Sequence, residues 1–160
     1  VGLSAAKGLA EALQIPVAAV SRLEVLAAKA RTESAALDAH RSQVFVRLAQ
    51  PEGTARELLA GAEELAELGA AAELVASPIA SPLASPVAVC EDAAAELLAK
   101  LWPGTALKRV EAPTAADVMR MAAGRVEVDA FDDVASLDGH YLRRSDAEIF
   151  GQQAEDRRGG

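Results

Sequence analysis

His40, His140 and Cys90 are the side chains in this sequence best suited to proton transfer, metal ligation or nucleophilic attack. Asp38 and His40, two residues apart, offer two ligands for a metal ion. No third or fourth ligand stands nearby at a convincing spacing, so both histidines read as turn or surface residues. Cys90 ends an apolar run and is followed by Glu91 and Asp92. Adjacent carboxylates raise a thiol pKa, which suits a buried structural cysteine better than a nucleophile. As the single cysteine, it excludes an internal disulfide and a Cys-based zinc site, and it fits a reducing cytoplasm.

The other polar groupings also fall short of a catalytic constellation. Neither Gly2 nor Gly8 sits in the multi-glycine loop that cradles a phosphate before a helix, and no Walker or dinucleotide fingerprint is present. Glu63-Glu64 and Asp132-Asp133 read as solvated surface, and Arg143-Arg144 as a surface or salt-bridging pair that could also hold phosphate or carboxylate. The expectation is a chain with no catalytic residues, no metal and no cofactor. Its formal net charge of −8 repels a phosphate backbone, and aromatic residues at 3% supply almost no base-stacking surface. Unaided binding of RNA is therefore not expected. The longest uncharged stretch, residues 74–90, is interrupted by Pro78, Pro82 and Pro86, short of the ~20 apolar residues that a spanning helix needs.

The elements that would position these groups alternate between helix and strand. Residues 1–14 read as a helix closed at Ile15-Pro16, with Ser4, Lys7, Glu11 and Gln14 on one polar stripe. At 100° per residue that stripe covers roughly 80°, and the rest of the circumference, including Leu3, Ala6, Leu9, Ala10 and Leu13, is apolar. A helix so apolar needs more than one packing partner. Residues 17–20 read as a short buried strand, and Ser21-Arg22-Leu23-Glu24 as a capping box opening a second helix that ends near Arg31. Residues 34–37 and 43–48 form the two arms of a hairpin, with Val44, Val46 and Leu48 facing the core.

Residues 56–74 are rich in Ala, Leu and Glu and read as one or two helices, with Gly61 and Gly69 as weak points. Residues 76–86 repeat a Ser-Pro unit and read as an extended linker. Then come a strand at 87–90, an N-cap at Asp92, a helix over 93–101 stopped by Pro103-Gly104, and a last helix from Thr114 or Ala115 to about Arg125. Residues 126–160 have little periodicity, and their last ten are expected to be disordered. This order of elements points to an α/β or α+β fold.

Three blocks resemble the TsaB (YeaZ) family. The apolar Ala-Lys-Gly helix around Ala6-Lys7-Gly8, followed by Ile15-Pro16 and by Ser21-Arg22-Leu23-Glu24, is similar to the family's signature of helix, strand and Ser-x-Leu-Glu helix. Asp38-Ala39-His40-Arg41-Ser42-Gln43-Val44-Phe45 resembles its Asp-Ala-Arg-Arg-x-Glu-Val-Tyr hairpin, departing at His40, Gln43 and Phe45. Pro113-Thr114-Ala115-Ala116-Asp117-Val118 and Tyr141-Leu142-Arg143-Arg144 are similar to its last helix and Tyr-Leu-Arg tail.

The resemblance implies an incomplete actin-like/hsp70-like ATPase (RNase H-like) fold of two small lobes, lacking the family's first strands and Gly-Ser-Phe-Thr-Gly-Leu-Arg turn. Residues 1–50 would be the remainder of the first lobe with the hairpin, and 51–112 a degenerate second lobe containing the linker. Residues 113–148 would return to the first lobe, and 149–160 would be disordered. It also implies a cytoplasmic, non-catalytic scaffold that binds a TsaD-like subunit, with TsaE in the complex. That machinery carries out N6-threonylcarbamoylation of adenosine 37 in tRNAs reading codons that begin with A. In the family the first two helices bundle with TsaD or with a second TsaB copy, which places partner contacts here at Leu3, Ala6, Ala10, Leu13, Leu23, Leu26 and Ala27. Tail contacts would fall at Tyr141, Arg143 and Arg144. Two alternatives remain beside this reading: a nucleotide-hydrolysing or glycoprotease-like enzyme of the same superfamily, and a self-associating helical module unrelated to tRNA.

Overall fold

A computed structural model describes residues 2–50, 53–74 and 85–137. The linker expected at 76–86, apart from Ser85 and Pro86, lies outside the described residues. So do His140, Tyr141, Arg143, Arg144 and the terminal segment 149–160. The described elements are α1 (Gly2–Leu13), α2 (Arg22–Ala30), β1 (Ser34–Asp38), β2 (Val44–Ala49), β3 (Ala55–Ala60), α3 (Ala62–Leu74), β4 (Val87–Val89), α4 (Asp92–Leu101), β5 (Leu107–Arg109) and α5 (Ala115–Glu127).

The strands form a single sheet in the order β3-β2-β1-β4-β5. β1 runs antiparallel to β2, and β2 to β3, whereas β4 lies parallel to β1 and β5 parallel to β4. Parallel neighbours need a crossover, and α4 supplies the one between β4 and β5. Alternation along the central strands fills two cores. Ala36, Val44, Val46, Leu48, Val87 and Val89 pack with Leu65, Leu98 and Trp102 on one side, while Ala35, Leu37 and Ala88 pack with Leu23, Leu26, Ala27 and Ala30 of α2 on the other. A sheet covered on both faces explains why the central β1 and β4 are apolar without alternation.

Most elements stand where the residues placed them. The hairpin pairs Ala35 with Arg47 and Leu37 with Phe45, and Val44, Val46 and Leu48 are buried as expected. Four local readings differ. The helix expected from residue 56 begins only at Ala62, because Ala55–Ala60 pairs with β2 from Ala49↔Ala55 to Val44↔Ala60. The residues Ala-Arg-Glu-Leu-Leu-Ala favour helix locally, and the ladder with β2 overrides that preference. Residues 17–20 make one isolated bridge, Val17 to Asp132, rather than a strand. The N-cap of α4 is Glu91 rather than Asp92, and Asp92 pairs with Arg109. Ser21 does cap α2 by accepting the Leu23 N–H, but Glu24 pairs with Arg125 instead of closing the capping box.

The division expected at residue 50 falls between β2 and β3, so residues on both sides of it contribute to one sheet. Asp132-Asp133 is also more than solvated surface: Asp132 accepts the Ala19 N–H at 2.7 Å, and Asp133 accepts the backbone N–H groups of Ala135 and Ser136.

Gly69, a weak point in helical propensity, has a packing reason. A Cβ there would stand 2.9 Å from Cδ1 and 3.0 Å from Nε1 of Trp102. The indole cannot easily give way, since it is buried and its Nε1–H donates to the Leu65 carbonyl at 2.7 Å. Gly69→Ala would gain ~1 kcal/mol of helix propensity but meet an overpacking cost of ~1–3 kcal/mol. The net expectation is a loss of stability, read as a lower urea midpoint at unchanged slope.

α5 is held against α2 by two ion pairs, Lys29 with Asp117 at 3.0 Å and Arg125 with Glu24 at 2.9 Å. Asp117 also closes a capping box with Thr114, a Thr-x-x-Asp signal visible in the sequence. Hydrogen bonding holds its carboxyl well below the ordinary carboxylate range, first from the Thr114 backbone N–H, then from Lys29 and the Thr114 hydroxyl. A lowered folded-state pKa stabilises the fold above the unfolded value of about 4, and that contribution disappears as pH falls towards the folded value. The urea midpoint of the parent should therefore drop below about pH 4. Asp117→Asn should start lower at neutral pH and show a shallower acid decline.

Candidate functional site

α1 is joined to the rest of the protein by few groups. Lys7 Nζ donates to the carbonyls of Ala135 at 3.2 Å and Leu137 at 2.6 Å, and Ala10 is the helix's one buried residue. Beyond the helix, Asp132 N–H donates to the Val17 carbonyl at 2.8 Å, and the Arg125 guanidinium donates to the carbonyl of Ala19. These bonds lay α1 beside residues 132–137 and bring the C-terminal end of α5 against residues 17–19. They leave the apolar arc of α1 open: Leu9 is 63% and Leu13 64% exposed, and Ile15 is exposed beyond them.

The expected contact residues divide accordingly. Leu13 and Ala6 are exposed and Leu3 is half-buried, so a partner can reach them. Ala10 is buried, and Leu23, Leu26 and Ala27 are buried in the core between α2 and the sheet. That burial has a simple cause. α2 spends its apolar face on Ala35, Leu37 and Ala88, and α5 packs on it from outside.

What the sequence reading missed is the apolar surface of α5 and the turn after it: Val118, Met119, Val126, Val128 and Phe131 are all exposed, Met119 at 71% and Val128 at 72%. Met119 and Val126 are seven residues apart and therefore share a helix face. That spacing was available as a signal.

The Asp38-x-His40 pair closes a turn. His40 Nδ1 lies 2.9 Å from Asp38 Oδ2, and the His40 backbone N–H donates to Oδ1 at 2.9 Å. His40, Arg41 and Ser42 all adopt left-handed backbone, with φ of 60°, 54° and 57°. The hairpin tip and α4 border an open cavity of about 430 Å³ lined by Arg41, Ser42, Gln43, Glu96 and Lys100 among others. Among the described residues no three His, Cys, Asp or Glu side chains gather where they could hold a metal ion. Cys90 is a free, half-buried thiol pushed above its ordinary pKa, first by burial and then by Glu91, which disfavours the thiolate needed for nucleophilic chemistry. Also among the described residues, no helix is long and apolar enough to cross a membrane.

Fold and surface together define a mixed α/β domain, built on a 3-2-1-4-5 sheet and carrying an apolar helix that its own core does not cover. Residues 1–100 match the family model described as TsaD: tRNA N6-adenosine threonylcarbamoyltransferase, and the chain belongs to that family. Two solved structures from Pseudomonas aeruginosa share its fold. One is a protein with similarity to peptidase YeaZ, 22% identical with a TM-score of 0.58, the match covering 89% of this chain and 66% of that one. The other is YeaZ, 24% identical with a TM-score of 0.53, the match covering 84% of this chain and 63% of that one. The chain thus spans just under two thirds of the length of these structures. No curated protein matches it significantly. The TsaB (YeaZ) resemblance read from the sequence is borne out in family and in fold.

Proposed function

We propose that this chain serves tRNA N6-threonylcarbamoylation of adenosine 37 as a non-catalytic scaffold that binds a TsaD-like subunit, with TsaE in the complex. The observation that carries the reading is the uncovered apolar arc of α1, since exposed leucines on an otherwise well-packed chain mark an interaction surface. Leu3, Ala6, Leu9 and Leu13 are the contacts on this helix. Family membership supports the pathway, and the net charge of −8 supports holding tRNA only indirectly, through the partner. The reducing compartment suited to a lone free thiol is the cytoplasm.

The test is reconstitution with a TsaD-like subunit, TsaE, ATP and substrate tRNA. Modification should require this chain, and the chain alone should turn over no ATP. ATP turnover by the isolated chain, lost on replacing one of its own carboxylates, would instead establish the nucleotide-hydrolysing reading. A stable homodimer that ignores the TsaD-like subunit would establish the self-associating one.

A further inference from the structure

The open cavity of about 430 Å³ between the hairpin tip and α4 plays no part in the proposed function. It lies at the carboxyl end of β1, whose last residue, Asp38, lines it, and beside α4, which follows β4. Small ligands of α/β sheets bind outside the carboxyl ends of parallel strands, and β1 and β4 are such a pair. Two elements bring a cation each to the cavity, Arg41 from the tip and Lys100 from α4. Neither forms an ion pair among the described residues. Of the carboxylates in the lining, Asp38 is engaged by the ring and the backbone N–H of His40. Glu96, one turn before Lys100 on α4, is in no ion pair among the described residues. Leu97 adds an apolar wall and the Ser42 hydroxyl a further donor. The backbone N–H groups of Arg41 and Ser42 also donate to no group among the described residues. His40, Arg41 and Ser42 are left-handed in succession, so those N–H groups point the same way, as at the start of a helix.

We propose that this cavity binds a small phosphate monoester that also carries an amino or hydroxyl group. The phosphate lies between the Arg41 guanidinium and the Lys100 ammonium, and Glu96 accepts a hydrogen bond from the ligand's second group. A monoester is preferred to a diester because its second negative charge meets the second cation. Glu96 opposes a bare anion, so the second group is a condition of tight binding. None of these residues lies on α1, so the inference stands or falls separately from the scaffold reading.

The experiment titrates the full chain with phosphoethanolamine, inorganic phosphate and dimethyl phosphate, using amide NMR shifts to locate the site. Phosphoethanolamine should bind most tightly and dimethyl phosphate least, with the shifts centred on the hairpin tip and α4. Arg41→Ala and Lys100→Ala should each weaken phosphoethanolamine about tenfold. Lys108→Ala, which removes an exposed cation on β5, should leave it unchanged. Glu96→Gln should move two of the ligands in opposite directions, weakening phosphoethanolamine and strengthening inorganic phosphate. No binding of phosphoethanolamine below about 10 mM would overturn the proposal, as would equal losses from Lys100→Ala and Lys108→Ala. Equal binding of the diester would also overturn it and point to a nucleic-acid backbone instead. So would a Glu96→Gln variant that binds both phosphates more tightly, since the second group would then play no part.

Discussion

Leu13→Asp is expected to fold like its parent and to lose capture by a TsaD-like subunit. The leucine is 64% exposed in the isolated chain, so a carboxylate there stays solvated and costs the fold almost nothing. Within a complex the same carboxylate would be stripped of water against an apolar surface, without a partner charge. The expected loss is that of an interface hot spot, about 2–4 kcal/mol, or roughly 30- to 1,000-fold in affinity. Capture on immobilised TsaD-like subunit measures it, with circular dichroism as the control for folding. Capture equal to the parent's would place the interface elsewhere. Ala10 makes a poorer probe because it is buried, and an arginine there would disturb packing and docking together. Leu26→Asp is the informative contrast. That side chain is fully buried between α2 and the sheet, and the substitution should unfold the protein whether or not a partner is present.

Among truncations to alanine, Trp102→Ala should have the largest effect on stability. Trp102 closes the core between the sheet, α3 and α4, and its Nε1–H satisfies the Leu65 carbonyl. Truncation to alanine opens a cavity and removes the hydrogen bond to that carbonyl, for an expected loss of about 3–5 kcal/mol. A domain of this size has only about 5–15 kcal/mol in all. Trp102→Phe retains much of the packing but not the donor, and should cost about 1–2 kcal/mol. Chemical denaturation followed by circular dichroism separates the two variants. Fluorescence cannot serve, because this is the chain's only tryptophan. A phenylalanine variant as unstable as the alanine one would mean that the hydrogen bond outweighs the volume.

How far the fold was legible depended on whether the local signal agreed with the tertiary environment. In the hairpin it did: alternation at Val44, Val46 and Leu48 set the buried face, and Asp38-Ala39-His40-Arg41 marked the turn. For β3 the two conflicted, because Leu58 and Leu59 within Ala-Arg-Glu-Leu-Leu-Ala fit a helix as readily as a strand, and only pairing with β2 decides. β5 spans three residues, too few for any period to register. At the candidate site, the surplus apolar arc of α1 was legible and the arc's accessibility was not. Leu23, Leu26 and Ala27 look much like Leu9 and Leu13 in sequence, yet the first group is sealed against β1 and β4 while Leu9 and Leu13 face solvent.

The sequence by itself determined the chemical groups available to this protein: an acidic chain with one cysteine and two histidines. It also determined the Ser-capped second helix and the hairpin, two of the blocks that carry the family resemblance. Those are properties of residue type and near-neighbour spacing, which a linear chain displays directly. Only the tertiary structure decided that Ala55–Ala60 completes a five-stranded sheet, that Gly69 makes room for Trp102, and that Val126 and Val128, at and just past the end of α5, stay exposed. Each of those depends on how separate segments come together, where burial and pairing outweigh the weak preferences that any single segment holds on its own.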